Sequence, residues 1–257
     1  MTGPAGVAGR DAFDLVQWAP DSIRRMFRES AEINIYFNSA KDGVIFNKEQ
    51  KPIGLKNRGK GASVNLVENF PQINKIKGGN YEMELKNSLF KVKPVDTGTT
   101  SPSTAIFCLS FKADSMSKVW RCLFSNENYS RAIMIKDGTR GEGVLKIWSS
   151  GKSKEIAFDN TDWKVLILQY TCLGGIVGCD YLFDGKSGSL EVGEEDKKPD
   201  YVLYLGGHPK LNRAHHSVGS FEMYQKTLGE GEKSCALSEE MKKCLYADIL
   251  QRVDGDE

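Results

Sequence analysis

The densest group of carboxylates in the sequence is the run Glu191-Val192-Gly193-Glu194-Glu195-Asp196, which raises the question of acid–base chemistry. A retaining glycosidase needs two carboxyl groups about 5–5.5 Å apart on opposite sides of the scissile bond. Residues two apart on a strand share a face, whereas Glu191 and Glu194 are three apart. The spacing therefore favours a solvated hairpin tip. Since the sequence also has no nucleophile motif or phosphate-binding glycine loop, we predict no catalytic residues.

All three histidines lie close together in the sequence, at His208, His215 and His216, so a metal site has to be considered. A zinc site requires three or four ligands in a defined geometry. In an extended segment, His215 and His216 would point to opposite faces. We therefore interpret this segment as a surface loop and leave the metal content unknown.

A basic stretch between residues 48 and 93 is a stronger candidate for binding. It holds ten lysines and arginines against four glutamates. Such a patch can bind a sulfated glycosaminoglycan or an acidic protein, although a solvated loop without a ligand explains it equally well. The predicted binding residues are Lys48, Lys51, Lys56, Arg58, Lys60, Lys75 and Lys77.

The chain contains six cysteines, which allow about 15 disulfide connectivities. Cys172 and Cys179 flank the turn sequence LGGIVG, so a bridge across the mouth of that hairpin is one prediction. Free buried thiols are the alternative. A glycosylation sequon at Asn128-Tyr129-Ser130 would fit a secreted protein.

The composition excludes several classes of protein. Of the 257 residues, 40% are hydrophobic and 27% are charged, with a net charge of +1, which gives no support for nucleic-acid binding. No apolar run approaches the roughly 20 residues of a membrane span, so we predict no membrane insertion. The first residues do not resemble a signal peptide. We expect an excised piece of a longer secreted chain, with an intracellular protein as the alternative.

The apolar pattern predicts a short helix near residues 21–29, a strand pair at 33–37 and 43–46, and a long loop over 47–80 with one short strand. From Tyr81 onward, short strands recur about every ten residues and are separated by turns rich in Gly, Asp and Asn. A helix that begins at Ser238 closes the chain. This pattern predicts an all-β, antiparallel sandwich or jelly roll with two helices.

The order of several short motifs after residue 80 resembles that of concanavalin A-like, laminin-G-like jelly-roll modules. These motifs are Asp162-Trp163, Asp184-Gly185-Lys186, Leu205-Gly206-Gly207, Gly219-Ser220-Phe221 and Leu237-Ser238-Glu239-Glu240-Met241. The resemblance implies an antiparallel jelly-roll β-sandwich over residues 80–257. Relatives of this kind include glucanases, so a glucanase-type glycoside hydrolase is the enzymatic alternative.

The resemblance also raises calcium, which laminin-G-like and pentraxin-like modules bind at the rim of the sandwich. The rim candidates are Asp137, Asp159, Asp162 and Asp184. Calcium takes about 6–8 oxygen ligands, and single aspartates in turns are usually turn formers. We therefore predict no cofactor, with calcium as an open alternative.

The N-terminus carries three collagen-like triplets, with glycine at positions 3, 6 and 9. Only glycine fits at the axis of a collagen triple helix, so the period predicts the end of a collagen-like stalk over residues 1–11. Residues 12–79 would then be an extension that packs on the head. A stalk of this kind implies a homotrimer.

Together, these observations predict a non-catalytic extracellular head of a collagen-like chain that serves recognition, adhesion or trimer assembly. Its partner would be a glycan, a glycosaminoglycan or a matrix protein. The receptor-binding tip of a viral or phage fibre is a further alternative, because such fibres also place collagen triplets ahead of their heads.

Overall fold

The structure, a computed structural model of the chain, consists mainly of short strands with apolar residues on one or both faces. This is the secondary structure that the apolar pattern of the sequence predicts. The strands form two antiparallel sheets, which establishes the predicted jelly-roll β-sandwich with one short N-terminal helix and one C-terminal helix. The structure describes residues 19–28, 31, 33–38, 41–59, 64–92, 103–112, 118–127, 131–137, 142–149, 151–159, 162–173, 176–194, 203–211, 216–227 and 236–254. The collagen-like triplets lie outside these residues.

The first sheet has eight strands among the described residues. In spatial order they are β15 (Lys186–Glu194), β14 (Ile176–Phe183), β13 (Lys164–Leu173), β8 (Ser103–Lys112), β17 (Ser217–Thr227), β6 (Tyr81–Glu84) and β5 (Gln72–Lys75), with β1 (Ile33–Asn38) also paired to β17. One end of β17 pairs with β6 and the remainder with β1, so both short strands share one edge of β17.

The second sheet has nine strands in the described part of the chain. Their spatial order is β12 (Lys152–Phe158), β11 (Gly143–Ser149), β10 (Arg131–Asp137), β9 (Arg121–Asn126), β16 (Leu203–Leu205), β7 (Leu89–Val92), β4 (Val64–Glu68), β3 (Pro52–Leu55) and β2 (Val44–Phe46). Burial of apolar side chains between the two sheets forms the main core. Phe111 stacks on Phe183 there, and the edge of Phe158 packs against both rings.

Two helices cover the outer face of the eight-stranded sheet. They are α1 (Pro20–Arg28), close to the predicted 21–29, and α2 (Glu239–Asp254). The Ser238 Oγ accepts a hydrogen bond from the Met241 backbone N–H at 3.2 Å, which confirms the predicted N-cap. Leu245 and Ile249 of α2 and Ile23 of α1 lie in a second core on this face.

A buried charge network, which we call the clamp, joins both helices to the sheet. It consists of Arg24, Glu222, Tyr224 and Asp248. The Arg24 Nη2–H donates to Glu222 Oε1 at 2.8 Å and to Asp248 Oδ2 at 2.7 Å, and the Tyr224 hydroxyl donates to Glu222 Oε2 at 2.8 Å. Burial acts to lower the pKa of Arg24, but the charges of Glu222 and Asp248 outweigh it and hold the pKa above its ordinary value.

Two predictions for the N-terminal third were wrong. The strands near 33–37 and 43–46 do not pair with each other, because β1 joins β17 and β2 joins β3 in the other sheet. A 3₁₀ turn at Lys41–Gly43 lies between them. The expected long loop over 47–80 instead contains β3, β4 and β5, of which β4 corresponds to the one short strand predicted there, near residues 62–66. The Lys-rich and Asn-rich composition of this segment hides strands that lie near the edges of the sheets.

The strands between residues 33 and 75 are hydrogen-bonded into both sheets. The division of the chain at residues 11 and 79 stays a prediction. Among the described residues, no helix is both long enough and apolar enough to cross a membrane.

Candidate binding surface on the nine-stranded sheet

The outer face of the nine-stranded sheet is set by the alternation of residues along its strands. In β11, Leu145 and Ile147 are buried in the core, whereas Lys146 and Trp148 lie on the opposite, outer face. The register places Lys146 opposite Met134 of β10, so the side chains of both strands share this outer face.

Two tryptophans dominate this face. Trp148 of β11 and Trp120, which immediately precedes β9, are half-buried and pack against Cys122, Ala132 and Met134. These three smaller residues are almost completely buried on the outer side of the sheet. The tryptophans therefore form a small satellite core while keeping part of each indole at the surface. A strand face that exposes indole in this way has the composition of a binding site.

Two lysines complete what we call the tryptophan surface, defined as Trp120, Lys136, Lys146 and Trp148. The Lys136 Nζ lies 4.5 Å from the centroid of the Trp120 ring. The Lys146 Nζ lies 5.2 Å from the Trp120 centroid and 5.4 Å from the Trp148 centroid. These distances are within the range of cation–π attraction, which fixes the ammonium groups beside the indoles.

The two lysines differ in their pairing. The Lys146 Nζ forms a 3.2 Å ion pair with Glu155 Oε1, and the lysine side chain is only 17% exposed. Lys136 has no ion-pair partner within the described residues. Among the described residues, the tryptophan surface therefore carries one neutralised ammonium group and one without a counter-charge, and the second favours an acidic ligand.

Cys122 lies beneath this surface but does not contribute reactive chemistry. Its S–H donates to the Phe124 carbonyl at 3.3 Å, and burial raises the pKa of the thiol to about 12. The thiolate, which is the reactive form of cysteine, is therefore not populated near neutral pH.

At β16, in the middle of the same sheet, a cluster of side chains closes the outer face instead of exposing it. Tyr204 and His208 are buried and meet edge to face, with ring centroids 5.8 Å apart. The Lys210 backbone N–H donates to His208 Nδ1 at 3.1 Å, so the Nε2 of a neutral ring carries the proton and donates to the Glu127 carbonyl at 3.0 Å. These bonds hold His208 in a structural role.

The histidines do not form a metal site in the described part of the chain. His216 is buried where β17 begins, away from a surface loop, so for this residue the loop interpretation was wrong. His215 lies outside the described residues. No group of three or more His, Cys, Asp or Glu residues that could hold a metal ion occurs among the residues that are described.

The predicted basic residues are divided between the two sheets. Lys48, Lys51, Lys56 and Arg58 flank β2 and β3 of the nine-stranded sheet, whereas Lys75 and Lys77 lie at and beyond the end of β5 in the other sheet. All six are exposed, and Lys60 lies outside the described residues. Two of them are neutralised by ion pairs, since Lys51 lies 3.0 Å from Glu49 and Arg58 lies 2.8 Å from Asp42.

The acidic run reaches into a strand. Glu191 and Glu194 belong to β15, which the sequence pattern missed, and β15 is the edge strand of the eight-stranded sheet. They lie opposite Gly178 and Ile176, with a register shift between the two pairs. An edge strand with irregular pairing replaces the predicted hairpin tip. Glu195 and Asp196 lie outside the described residues.

The four rim aspartates are spread over separate turns and strand ends. Asp184 and Gly185 turn the hairpin between β14 and β15 with φ angles of 49° and 74°, as the turn motif predicts. The Asp184 carboxylate lies 3.5 Å from the Lys164 ammonium. Asp137 ends β10, and Asp159 and Asp162 are exposed beyond β12 and before β13.

The hairpin between β13 and β14 is formed as predicted, but its register argues against the predicted disulfide. Cys179 lies opposite Tyr170, whereas Cys172 lies opposite Val177. Directly opposed residues have the closest Cβ atoms in an antiparallel pair. Cys179 is a free thiol whose pKa is raised to about 12 by burial, with a smaller lowering by the hydrogen bond to Tyr170. Asn128 lies outside the described residues.

Sequence reasoning missed the tryptophan surface. The strands predicted after Tyr81 include VWRCLFS and GVLKIWS, but the strand pattern alone does not show that their tryptophans lie on one outer face. The available signal was the alternation Val144, Lys146, Trp148 on the face opposite Leu145 and Ile147. A tryptophan that shares a strand face with lysine is a candidate ligand contact on the solvent-exposed face of a sheet.

Comparisons with known proteins establish the fold and leave the family open. No protein-family model matches the chain. No curated protein matches it either. Solved structures do match, and the receptor-binding domain of botulinum neurotoxin mosaic serotype C/D is 14% identical, with a TM-score of 0.51 over 88% of this chain and 52% of that one.

Two further solved structures match the chain with lower TM-scores. A structure of botulinum neurotoxin type C, which depends on two ganglioside molecules to enter cells, is 10% identical, with a TM-score of 0.50 over 88% of this chain and 52% of that one. Domain 4 of an extracellular arabinanase from Geobacillus stearothermophilus, in complex with arabinotriose, is 11% identical, with a TM-score of 0.42 over 86% of this chain and all of that domain. The chain spans about half the length of the neurotoxin domains that it matches.

Proposed function

We propose that this protein is a non-catalytic recognition domain that binds an acidic glycan on the tryptophan surface. The observation that carries the proposal is the pair of partly exposed indoles on the outer face of the nine-stranded sheet, with two ammonium groups beside them. The outer face of the other sheet, by contrast, is occupied by α1 and α2.

The chemistry of this surface suits a sugar. The C–H face of a pyranose ring is flat and apolar, so it gains free energy by packing on the flat indole of Trp148 or Trp120. The ring hydroxyls and any carboxylate or sulfate substituent need polar partners at the rim. Lys136 supplies a positive charge there that no carboxylate within the described residues neutralises, which favours acidic over neutral sugars.

The same domain would act outside the cell, as the head of a collagen-like trimer. The glycine period at positions 3, 6 and 9 supports a stalk, and three heads on one stalk would raise the avidity for a weakly bound glycan. The type C neurotoxin, which shares the fold, interacts with two ganglioside molecules. Because that likeness concerns the fold alone, the proposal rests on the tryptophan surface.

An array of neutral, sialylated and sulfated glycans, followed by calorimetry with the strongest binder, tests the proposal. We expect Trp148→Ala to weaken binding at least about tenfold, a loss of about 1.4 kcal/mol. Phe70→Ala is the matched control, because Phe70 is an aromatic residue that is 49% exposed elsewhere on the molecule. This control should bind like the wild type.

Two results would overturn the proposal. One is a folded wild-type protein that retains no glycan from the array. The other is a folded Trp148→Ala variant with unchanged affinity, since loss of the indole would not weaken the binding of a ligand that binds elsewhere.

A further inference from the structure

A second cationic feature lies far from the tryptophan surface in the fold, around the ring of Tyr36 in β1. The guanidinium carbons of three arginines lie near the centroid of this one ring, at 5.7 Å for Arg24, 4.7 Å for Arg28 and 5.5 Å for Arg58. Arg24 and Arg28 belong to α1, whereas Arg58 follows β3. The Arg58 backbone N–H donates to the Asn34 carbonyl at 2.8 Å, which anchors this segment beside β1.

The carboxylates that the structure describes near this ring neutralise only two of the three arginines. Arg24 is neutralised by Glu222 and Asp248 within the clamp, although its Nη1 is buried without a hydrogen-bond partner. Arg58 pairs with Asp42 at 2.8 Å, but the side chain of Asp42 is 65% exposed. Water screens such an exposed pair, so the contact leaves Arg58 able to exchange partners.

Arg28 is the arginine that the described residues leave without a carboxylate. Its guanidinium lies closest to the Tyr36 ring, and its Nε is buried without a hydrogen-bond partner. A buried donor on a charged group is costly to leave unsatisfied. The guanidinium groups of Arg28 and Arg58, at 4.7 Å and 5.5 Å from the centroid of the same ring, also repel each other. Both costs are removed by an anion that accepts hydrogen bonds from both arginines.

We propose that Arg28 and Arg58 bind a tetrahedral oxyanion beside Tyr36, either a sulfate or a phosphate group. Such a group offers oxygens in several directions and can accept hydrogen bonds from two guanidinium forks at once. Tyr36 supports the site by holding both guanidinium planes through cation–π attraction. Arg58 was among the binding residues predicted from the sequence, whereas Arg28 and Tyr36 were not. The site shares no residue with the tryptophan surface and does not depend on the function proposed for it.

Thermal unfolding of the full chain tests the site. Inorganic sulfate and phosphate would be titrated at low millimolar concentration against sodium chloride of equal ionic strength, and a heparin-derived tetrasaccharide would be the second arm. We expect a saturable rise in Tm for the wild type and loss of that rise in Arg28→Gln and Arg58→Gln. The matched control is Arg25→Gln, because Arg25 is an exposed arginine in the same last turn of α1.

The two arms separate the sources of the anion. If both arms stabilise the protein, the site accepts sulfate esters of a glycan, whereas a response to inorganic ions alone assigns it to a free oxyanion. Arg28→Lys provides a folded second variant in case Arg28→Gln does not fold. Lysine keeps the positive charge but lacks the planar guanidinium group with its paired N–H donors. Calorimetry should therefore show about a fivefold to tenfold weaker anion affinity.

The inference is overturned if Arg25→Gln and Arg28→Gln lose the response equally, or if Arg28→Gln lowers the Tm and keeps the full response. The latter result would mean that Arg28 only complements the C-terminal end of α1. Failure of this site is distinguishable from failure of the proposed function. A folded Trp148→Ala variant would keep the anion response while losing the glycan.

Discussion

The two outer faces of the sandwich differ in how their charged and aromatic side chains are paired and exposed to solvent. On the eight-stranded sheet, α1 and α2 exclude water, so the charges of the clamp are permitted only because Arg24 has carboxylates on two sides. On the nine-stranded sheet, Lys136 lies against Trp120 with no carboxylate within the described residues, because water reaches its ammonium group. The clamp is therefore stabilised by pairing of its buried charges, whereas the tryptophan surface combines partly exposed indoles with a lysine that no described carboxylate neutralises, which suits a ligand.

The largest effect should come from breaking the clamp. Glu222→Ala leaves the buried Arg24 with only Asp248, so we expect the free energy of unfolding to fall by about 3–5 kcal/mol. Asp42→Ala removes an exposed partner of Arg58 instead and should cost less than about 1 kcal/mol. Urea denaturation of both variants measures the difference, and equal losses would contradict the contrast between buried and exposed charge.

A second comparison sets the helix-covered core against the tryptophan surface. Leu245 is only 2% exposed between α2 and the sheet, so Leu245→Ala should cost about 2–5 kcal/mol. Trp148→Ala should cost less, because part of the indole already contacts water. Denaturation and calorimetry should show that Leu245→Ala destabilises the fold while the folded fraction still binds glycan. A Trp148→Ala variant less stable than Leu245→Ala would show that the tryptophan surface is chiefly structural.

The N-cap of α2 should have a moderate effect. Ser238→Ala removes the hydrogen bond from the Met241 backbone N–H and should lower the free energy of unfolding by about 1 kcal/mol. Ser238→Asp is a matched variant that retains a capping oxygen, and it should restore most of the stability. An alanine variant as stable as the wild type would show that packing alone holds the start of α2.

The smallest effect concerns the acid dependence of the same helix. Hydrogen bonds from the Lys242 ammonium and the Ser187 hydroxyl hold the pKa of Glu239 below its usual 4.5. The stabilisation is therefore present above that value and is lost as the pH falls through the lower pKa of the folded state. Denaturation from neutral to acid pH should show a shallower decline in Glu239→Gln. Parallel curves for the variant and the wild type would contradict this assignment.

The strands and helices could be predicted where the apolar pattern was strong. GVLKIWS and WKVLILQY became β11 and β13, and the Ser238 cap marked the start of α2. The pattern failed for β5 and β15, whose sequences QINK and KSGSLEVGE contain few apolar residues. Both are edge strands, which bury less surface than central strands and therefore need less apolar sequence.

The candidate site was less predictable than the fold. The basic residues were predicted as one group because they are close in sequence, but the structure divides them between two sheets. Trp120 and Trp148 were separated by 27 intervening residues, and only the register of β9, β10 and β11 brings them onto one face. Arg28 and Arg58 both lie beside the Tyr36 ring because α1 covers the sheet that β1 joins and the segment after β3 runs beside β1.

The sequence by itself determined the class of the fold, most of its central strands, both helices, the turn at Asp184-Gly185 and the helix cap at Ser238, because these depend on local periodicity and local backbone chemistry. Only the tertiary structure decided which sheet each strand joined, which sheet the helices covered and which tryptophans stayed at the surface. Those choices depend on the burial of whole faces against one another, and the free energy of that burial comes from residues far apart in the chain.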